Sequence, residues 1–377
     1  MKKFLKVFFL VFLGFGLLLS VVSTSFLYLS PQFGQDPTQE QIKKYKKTGH
    51  YRVDHFININ GVKMRDFSLS QIWDMSINFF SEQPRTIPKS IIPVQKIDSI
   101  NVVEFKTKKP RVIWFGHSAI LLQIQGKNIL LDPMFGDVPA PHPLLGSPRF
   151  NKELPLEVEK LPQIDAVIFS HDHYDHLDYE SVMKLKDKVG HFYTPLGVGN
   201  HIASWGVSPD HVTQLDWWQE VDFDGLKIVC TPAQHFSGRA LSDRGATLWS
   251  SWVIKSDDYN VFFSGDSGYG PHFKQIGEKY GPFDFALMEC GQYNELWEEI
   301  HMLPHQTIDA SLDLGAKVMM PIHWASFKLA LHEWDDPVLQ ATKLAEEKNV
   351  NITTPKIGEP IILDKVYPAE TWWVGLK

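Results

Sequence analysis

IDAVIFSHDHYDHLD, residues 164–178, decides how this chain is read. Its first seven residues form a near-continuous apolar run, the pattern of a strand buried on both faces. The run ends at once in His171, Asp172, His173, Asp175 and His176, three imidazoles and two carboxylates within six positions. Imidazole and carboxylate together suit zinc or similar first-row metals, and the lack of cysteine argues against a purely structural zinc cage. His171 and His173, two apart, can point the same way from a strand end. Asp175 and His176 can then turn to a second ion as the chain bends into a helix. A solvated His-rich loop would explain a lone His-x-His, but not His-x-His-x-Asp-His set directly behind VIFS.

Outward from this stretch, further strands are predicted. RVIWF from Arg111 and SAILLQIQ precede it, followed by a two-residue hairpin turn at Gly126-Lys127 into NILLDP. KIVCTP, SSWVIKS, NVFFSGD, DFALMEC and KVMMPIH follow it. Helical stretches fall around 180–188, 272–280, 306–314 and 337–348, with Leu314-Gly315 as a helix end. Strands and helices interleave, so the fold class is α/β or α+β. Three of the later strands end in a further ligand type: His235 after KIVCTPAQ, Asp266 after NVFFSG and His323 after KVMMPI. Each alone could merely satisfy a turn. Jointly with His171, His173, Asp175 and His176 of the loop they make seven, the number two ions need if one carboxylate is shared and a water bridges.

Composition sets the boundaries. The 377 residues are 44% hydrophobic, 21% charged and 13% aromatic, which describes a globular protein rather than a disordered one. A net charge of −7 gives no basic stripe for nucleic acid. Val7 to Leu29 carries no charged residue and follows Lys2, Lys3 and Lys6. As a helix it would span about 34 Å, enough for a ~30 Å hydrocarbon core. Two readings fit, a retained membrane anchor through residues 7–29 or a cleaved signal peptide with Ser23 and Ser25 before the cut. Either places the body on the extracytoplasmic side. Cys230 and Cys290 could oxidise there, but both sit in apolar runs and read as buried free thiols. The predicted organisation is an anchor or signal over 1–30, an N-terminal extension wrapping the main domain over 31–105, and a main domain over 106–377 that carries the candidate metal ligands.

Read in order, HDHYDHLD, TPAQH, FSGDSGY and PIHW resemble the metallo-β-lactamase superfamily. WFGHSAILLQI, LLDPMF, VTQLDWWQE, HFSGR and KYGPFDFALM narrow the resemblance to its N-acylphosphatidylethanolamine-hydrolysing phospholipase D branch, bacterial members included. The resemblance covers about residues 108–365 and extends weakly to PQFG at 31–34. It implies an αββα sandwich of two facing sheets flanked by helices, with two zinc ions at one sheet edge. By matching position, His171, His173 and His235 would hold one zinc, Asp175, His176 and His323 the other, and Asp266 would bridge. The implied chemistry is hydrolysis of a phospholipid phosphodiester by hydroxide generated from water at paired metals. No Ser or Cys nucleophile is needed, and no G-x-S-x-G occurs.

Other residues carry narrower expectations. His301 in IHMLP matches a family histidine near the substrate, a catalytic role in which it binds phosphate or assists the leaving group; the alternative is a local helix cap. Asp132 in LLDP either orients a ligand histidine or forms a turn before Pro133. Arg239 and Arg244 could neutralise a second anion or make surface salt bridges. Trp217-Trp218 and the aromatic 249–263 segment could line a lipid groove or pack a core. His305 stands where the family commonly has an acidic residue, close to the expected substrate. A soluble phosphoester, lactone or β-lactam remains the alternative substrate. A metal-binding envelope protein without catalysis is the second alternative. A homodimer is compatible with the sequence.

Overall fold

Which strands alternate and which stay apolar throughout fixes how the layers stack. A computed structural model describes the chain apart from residues 1, 63–67, 82–84, 104, 106, 241 and 377. After a long helix α1 (Lys2–Leu29) and a short α2 (Gln39–Tyr45) come a small hairpin, β1 (Tyr51–Arg52) and β2 (His55–Phe56), then α3 (Leu69–Phe80) and α4 (Ser99–Val103). The first half of the main body holds β3 (Arg111–Trp114), β4 (Ile120–Ile124), β5 (Lys127–Leu131), β6 (Ile164–Ile168), α5 (Tyr179–Leu185), β7 (Val189–Pro195), α6 (Val198–Ser204) and β8 (Val212–Leu215). The second holds β9 (Glu220–Phe223), β10 (Leu226–Thr231), β11 (Ser251–Lys255), β12 (Asn260–Phe263), α7 (His272–Tyr280), β13 (Phe285–Glu289), α8 (Pro304–Asp313), β14 (Met319–Ile322) and α9 (Asp336–Lys348). The last strand, β15 (Pro360–Ile362), returns to the first half.

These strands form two mixed sheets. One runs β15-β3-β4-β5-β6-β7-β8 and the other β14-β13-β12-β11-β10-β9. Alternate residues of each strand go to opposite faces. Val112, Ile120, Leu122 and Ile168 of the first sheet meet Ile228, Trp252, Phe263 and Leu287 of the second in the central core. Their neighbours Leu121, Leu130 and Val167 pack under α5 and α6 with Val182 and Ile202. On the far side Val253, Phe262 and Met288 pack under α7, α8 and α9 with Phe273, Ile308 and Ala341. The strands covered on both faces are the ones that read as unbroken apolar runs. The architecture is the αββα sandwich of the metallo-β-lactamase fold.

The hairpin between β4 and β5 differs by one residue from the expected one. Its turn residues are Gln125 and Gly126, because Ile124 pairs with Lys127. Both turn residues have positive φ, 48° and 73°, as a type I′ turn demands. Strands β7, β8 and β9 were not anticipated: β8 and β9 are polar and half-exposed, and β7, VGHFYTP, though largely buried, has its apolar residues broken up by Gly190, His191 and Thr194.

Helix α1 stands apart from the sandwich. Lys3–Leu29 has a mean hydropathy of 2.5 and no buried stretch, and among the described residues it is the one helix long and apolar enough to cross a membrane. The segment after it is fastened to the main body: Pro31 O accepts from Trp205 Nε1 at 2.7 Å, and Gln35 N donates to His201 Nδ1 at 2.9 Å. Tyr45, Tyr51 and Phe56 enter the central core.

Candidate metal centre

Every predicted ligand leaves the same edge of the sandwich. His171 lies three residues beyond β6, His235 four beyond β10, Asp266 three beyond β12, and His323 immediately follows β14. In parallel or adjacent strands that share a direction, downstream ends collect at one edge, so ligands far apart in sequence become neighbours.

The side chains form two groups with Asp266 between them. His171, His173 and His235 offer nitrogens to a common point: His173 Nδ1 is 2.9 Å from His171 Nε2 and 3.1 Å from His235 Nε2. Asp175, His176 and His323 form the second, joined by His117. Asp175 Oδ2 lies 2.9 Å from His117 Nε2, 3.2 Å from His323 Nε2 and 3.4 Å from His176 Nε2. Asp266 Oδ2 is 3.0 Å from His323 Nε2, 3.8 Å from His235 Nε2 and 3.9 Å from His171 Nε2, while its Oδ1 is 3.2 Å from His176 Nε2. Neither Asp266 Oδ1 nor His176 Nε2 has a hydrogen bond, although both are buried. Imidazole nitrogens facing one another, with two orphaned buried polar atoms beside them, are a donor set that fits divalent cations.

The electrostatics of the bare side chains agree. Burial acts against charge on His323, yet the carboxylates of Asp266 and Asp175 outweigh it and lift this imidazole to about 10. Burial likewise opposes the Asp266 carboxylate, and His176 and His323 hold it well below the usual carboxylate range. Burial, aided by His323, pushes His117 down to about 3. The carboxylates and imidazoles thus hold each other's charge in the absence of an ion, a role a cation would take over.

A second layer orients these groups. Asp132, fully buried, accepts from His176 Nδ1 at 2.7 Å, from Ser170 N at 2.7 Å and from the Ser170 hydroxyl. It fixes the orientation of the His176 ring, as one of its two readings supposed. Asn58, in the N-terminal segment, donates to His235 O at 2.8 Å and accepts from His235 N at 3.0 Å. Arg239 is buried and makes neither a surface salt bridge nor an anion site. Its guanidinium donates to the carbonyls of Asp172, Leu177 and Gln32, over the Tyr174 ring at 4.1 Å. Arg244 is exposed and sits over Phe236, 4.7 Å from the ring centroid.

A cleft of about 270 Å³ opens over these side chains. His173, Asp175, Asp266, His323 and His301 line its floor and wall, with Phe236, Trp297, Ile300 and Leu329 giving the apolar part. His301 does not cap α8, which starts at Pro304; its Nδ1 meets the buried Glu289 carboxylate, leaving Nε2 as its free ring nitrogen. Burial, helped by the nearby Asp266 charge, raises the Glu289 carboxyl despite His301. Of the two readings of the aromatic segments, packing in the core is the one that holds for Trp217 and for Trp249, Trp252, Phe262 and Phe263. Trp217 and Trp249 are core residues, with Trp217 Nε1 donating to Trp249 O at 2.7 Å. His305 is exposed on α8 and does not line the cleft. Three contributors escaped the sequence reading: His117, Glu289 and Asn58. Glu289 had a signal, a carboxylate inside the apolar run FALMEC.

Fold and site together define a metallo-hydrolase class of protein. Residues 127–324 match the family described as Beta-lactamase superfamily domain, and the chain belongs to this metallo-β-lactamase superfamily. An uncharacterized protein of Mycobacterium tuberculosis is 37% identical over 332 residues, 87% of this chain and 88% of that one. The N-acyl-phosphatidylethanolamine-hydrolyzing phospholipase D 1 of Caenorhabditis elegans is 32% identical over 263 residues, 65% of this chain and 74% of that one. Among solved structures, an isothiocyanate hydrolase from Delia radicum gut bacteria shares the fold with a TM-score of 0.53 at 22% identity, over 69% of this chain and all of that one.

Proposed function

We propose that the protein is a zinc-dependent phosphodiesterase of the phospholipase D type, acting on N-acylphosphatidylethanolamine-type lipids at a membrane. The observation that carries the lipid reading is the physical tie between α1 and the metal loop. Arg239 bonds Gln32 O, three residues past the apolar helix, and with the same guanidinium bonds the Asp172 and Leu177 carbonyls. The phosphodiester reading draws on the nematode relative, whose name states that activity.

His171, His173 and His235 would hold one ion, Asp175, His176 and His323 the second, and Asp266 would contact both. Bound there, two divalent ions supply Lewis acidity to a phosphoryl oxygen and lower the pKa of water. The protein's own groups do the rest. Phe236, Trp297, Ile300 and Leu329 exclude water from one side of the cleft. Glu289 fixes His301 through Nδ1, so that Nε2 can hydrogen-bond a phosphate oxygen or pass a proton to the departing alcohol. Lys2, Lys3 and Lys6 before the apolar run favour a cytoplasmic N-terminus and an extracytoplasmic catalytic body in a bacterial envelope.

The test is mass spectrometry of a mixed phospholipid set treated with the full chain in mild detergent, beside metal analysis and His173→Ala. Release of phosphatidic acid and N-acylethanolamine, lost in the variant, is the expected result. Two bound metals with no lipid product would reject the lipid assignment.

A further inference from the structure

Helix α3 lies outside the sandwich and outside the family match. A capping box between Ser68 and Gln71 fixes its start. Its two faces differ in character. Gln71, Asp74, Met75 and Asn78 share one side and line a cavity of about 550 Å³, whose opposite wall includes Leu296 and Leu331. Leu69, Trp73 and Ile77, spaced i, i+4, i+8, share the other side and are 87%, 68% and 50% exposed. Asp74, the one charged residue of the helix, belongs to the cavity side. A stripe of large apolar side chains backed by a polar face is the pattern of a helix lying in a membrane interface.

Two further features favour a bilayer as the occupant. The cavity beneath α3 shares Trp297 and Leu329 with the metal cleft, and the segment just after α1 is tied to the loop behind β6 through Arg239 and Gln32 O. Beside the end of α1, Phe26 meets the His142 ring at 6.2 Å, and the next turn presents Leu144 and Leu145 at 87% and 63% exposure. Exposed apolar side chains thus also stand where the membrane helix leaves the bilayer.

We propose that α3 lies in the headgroup region with Leu69, Trp73 and Ile77 inserted, and that the mixed polar and apolar cavity under it is the passage by which a phospholipid reaches the metal cleft. The passage rests on the lipid-substrate reading; the docking of α3 does not.

The experiment uses the full chain in phosphatidylcholine–phosphatidylglycerol vesicles. Cys230 and Cys290 are fully buried, so an introduced cysteine takes a thiol-reactive, environment-sensitive dye selectively. The dye at Trp73→Cys should emit to the blue and be quenched by lipids carrying a shallow nitroxide, unlike the dye at Lys343→Cys on α9. Equal behaviour at the two positions overturns the docking. So does a dye at 73 that is unquenched by lipid and becomes shielded only as the protein-to-lipid ratio rises, which would make a second copy the occupant. Leu69→Asp/Ile77→Asp should lower vesicle hydrolysis about tenfold, with turnover of soluble bis(p-nitrophenyl) phosphate and metal content kept. Unchanged vesicle rates, or equal loss on both substrates, would overturn the passage. A wild-type chain inactive on every lipid would reject the proposed function, while the dye result would still decide the place of α3.

Discussion

Replacing Asp132 by Asn keeps the shape of a fully buried side chain and changes what it can accept. The position has φ 39°, a left-handed backbone that Asn tolerates as Asp does, so the perturbation is not conformational. The carboxylate takes three donors: Ser170 N on Oδ1, the Ser170 hydroxyl and His176 Nδ1 on Oδ2. A carboxylate only accepts, so His176 keeps a proton on Nδ1, and Nε2, the nitrogen facing Asp175 and Asp266, is the one that can give up its proton and offer a lone pair to a cation. In the Asn variant, an amide oxygen kept on Ser170 N puts the NH2 against His176 Nδ1. The ring must then hold its proton on Nε2, where a cation would bind, or lose its partner. Loss of one hydrogen bond to a charged group costs about 1.5–3 kcal/mol. At about 1.4 kcal/mol per decade this is roughly a 10- to 100-fold weaker metal affinity, the usual range for losing such an outer partner. Competition against a chromophoric chelator, read with metal content, measures it directly. An affinity within about twofold of wild type would refute the assigned tautomer and the orienting role.

Three other outcomes follow from the geometry. Arg239→Met keeps much of the volume but strips the donors from three carbonyls, and should lower stability by about 3 kcal/mol; an unchanged melting temperature would show that the clamp does not organise the loop. His301→Ala should lower kcat by roughly 10²- to 10⁴-fold with metal retained; loss of metal instead would make His301 a ligand. Burial raises both cysteine thiols, so Ellman's reagent should find no reactive thiol in the native chain and two after denaturation; native reactivity would contradict the packing around Cys230 or Cys290.

The parts of this molecule that were legible in its sequence are those where one segment carries the whole signal. Strand β6 and the His-Asp loop behind it needed no tertiary knowledge, and His235, Asp266 and His323 showed themselves as polar endings of apolar runs. His117 did not, because Gly116 and His117 leave β3 through two positive-φ residues and the ring is placed by the turn, not by a strand end. Asn58 belongs to a segment without periodicity, and its partners, the His235 backbone and the Trp249 indole, lie 177 and 191 positions away. Arg239 read as a surface charge because its partners are carbonyls, which no side-chain pattern announces. The tryptophans of 217–252 could line a groove or pack a core, and the burial of Trp217, Trp249 and Trp252 places these three in the core.

The candidate ligands divide between the two layers: four follow β6 of one sheet, and three follow β10, β12 and β14 of the other. An ion held by both sets would act as a clasp across the seam, closing a loop of chain from His171 to His323. Like any cross-link, it would remove entropy from the unfolded ensemble and add its binding energy to folding. Until the layers meet, the loop alone could offer only half of each coordination sphere. Metal capture would then be the final step of maturation, and stripping the metal would open the sandwich from its catalytic edge.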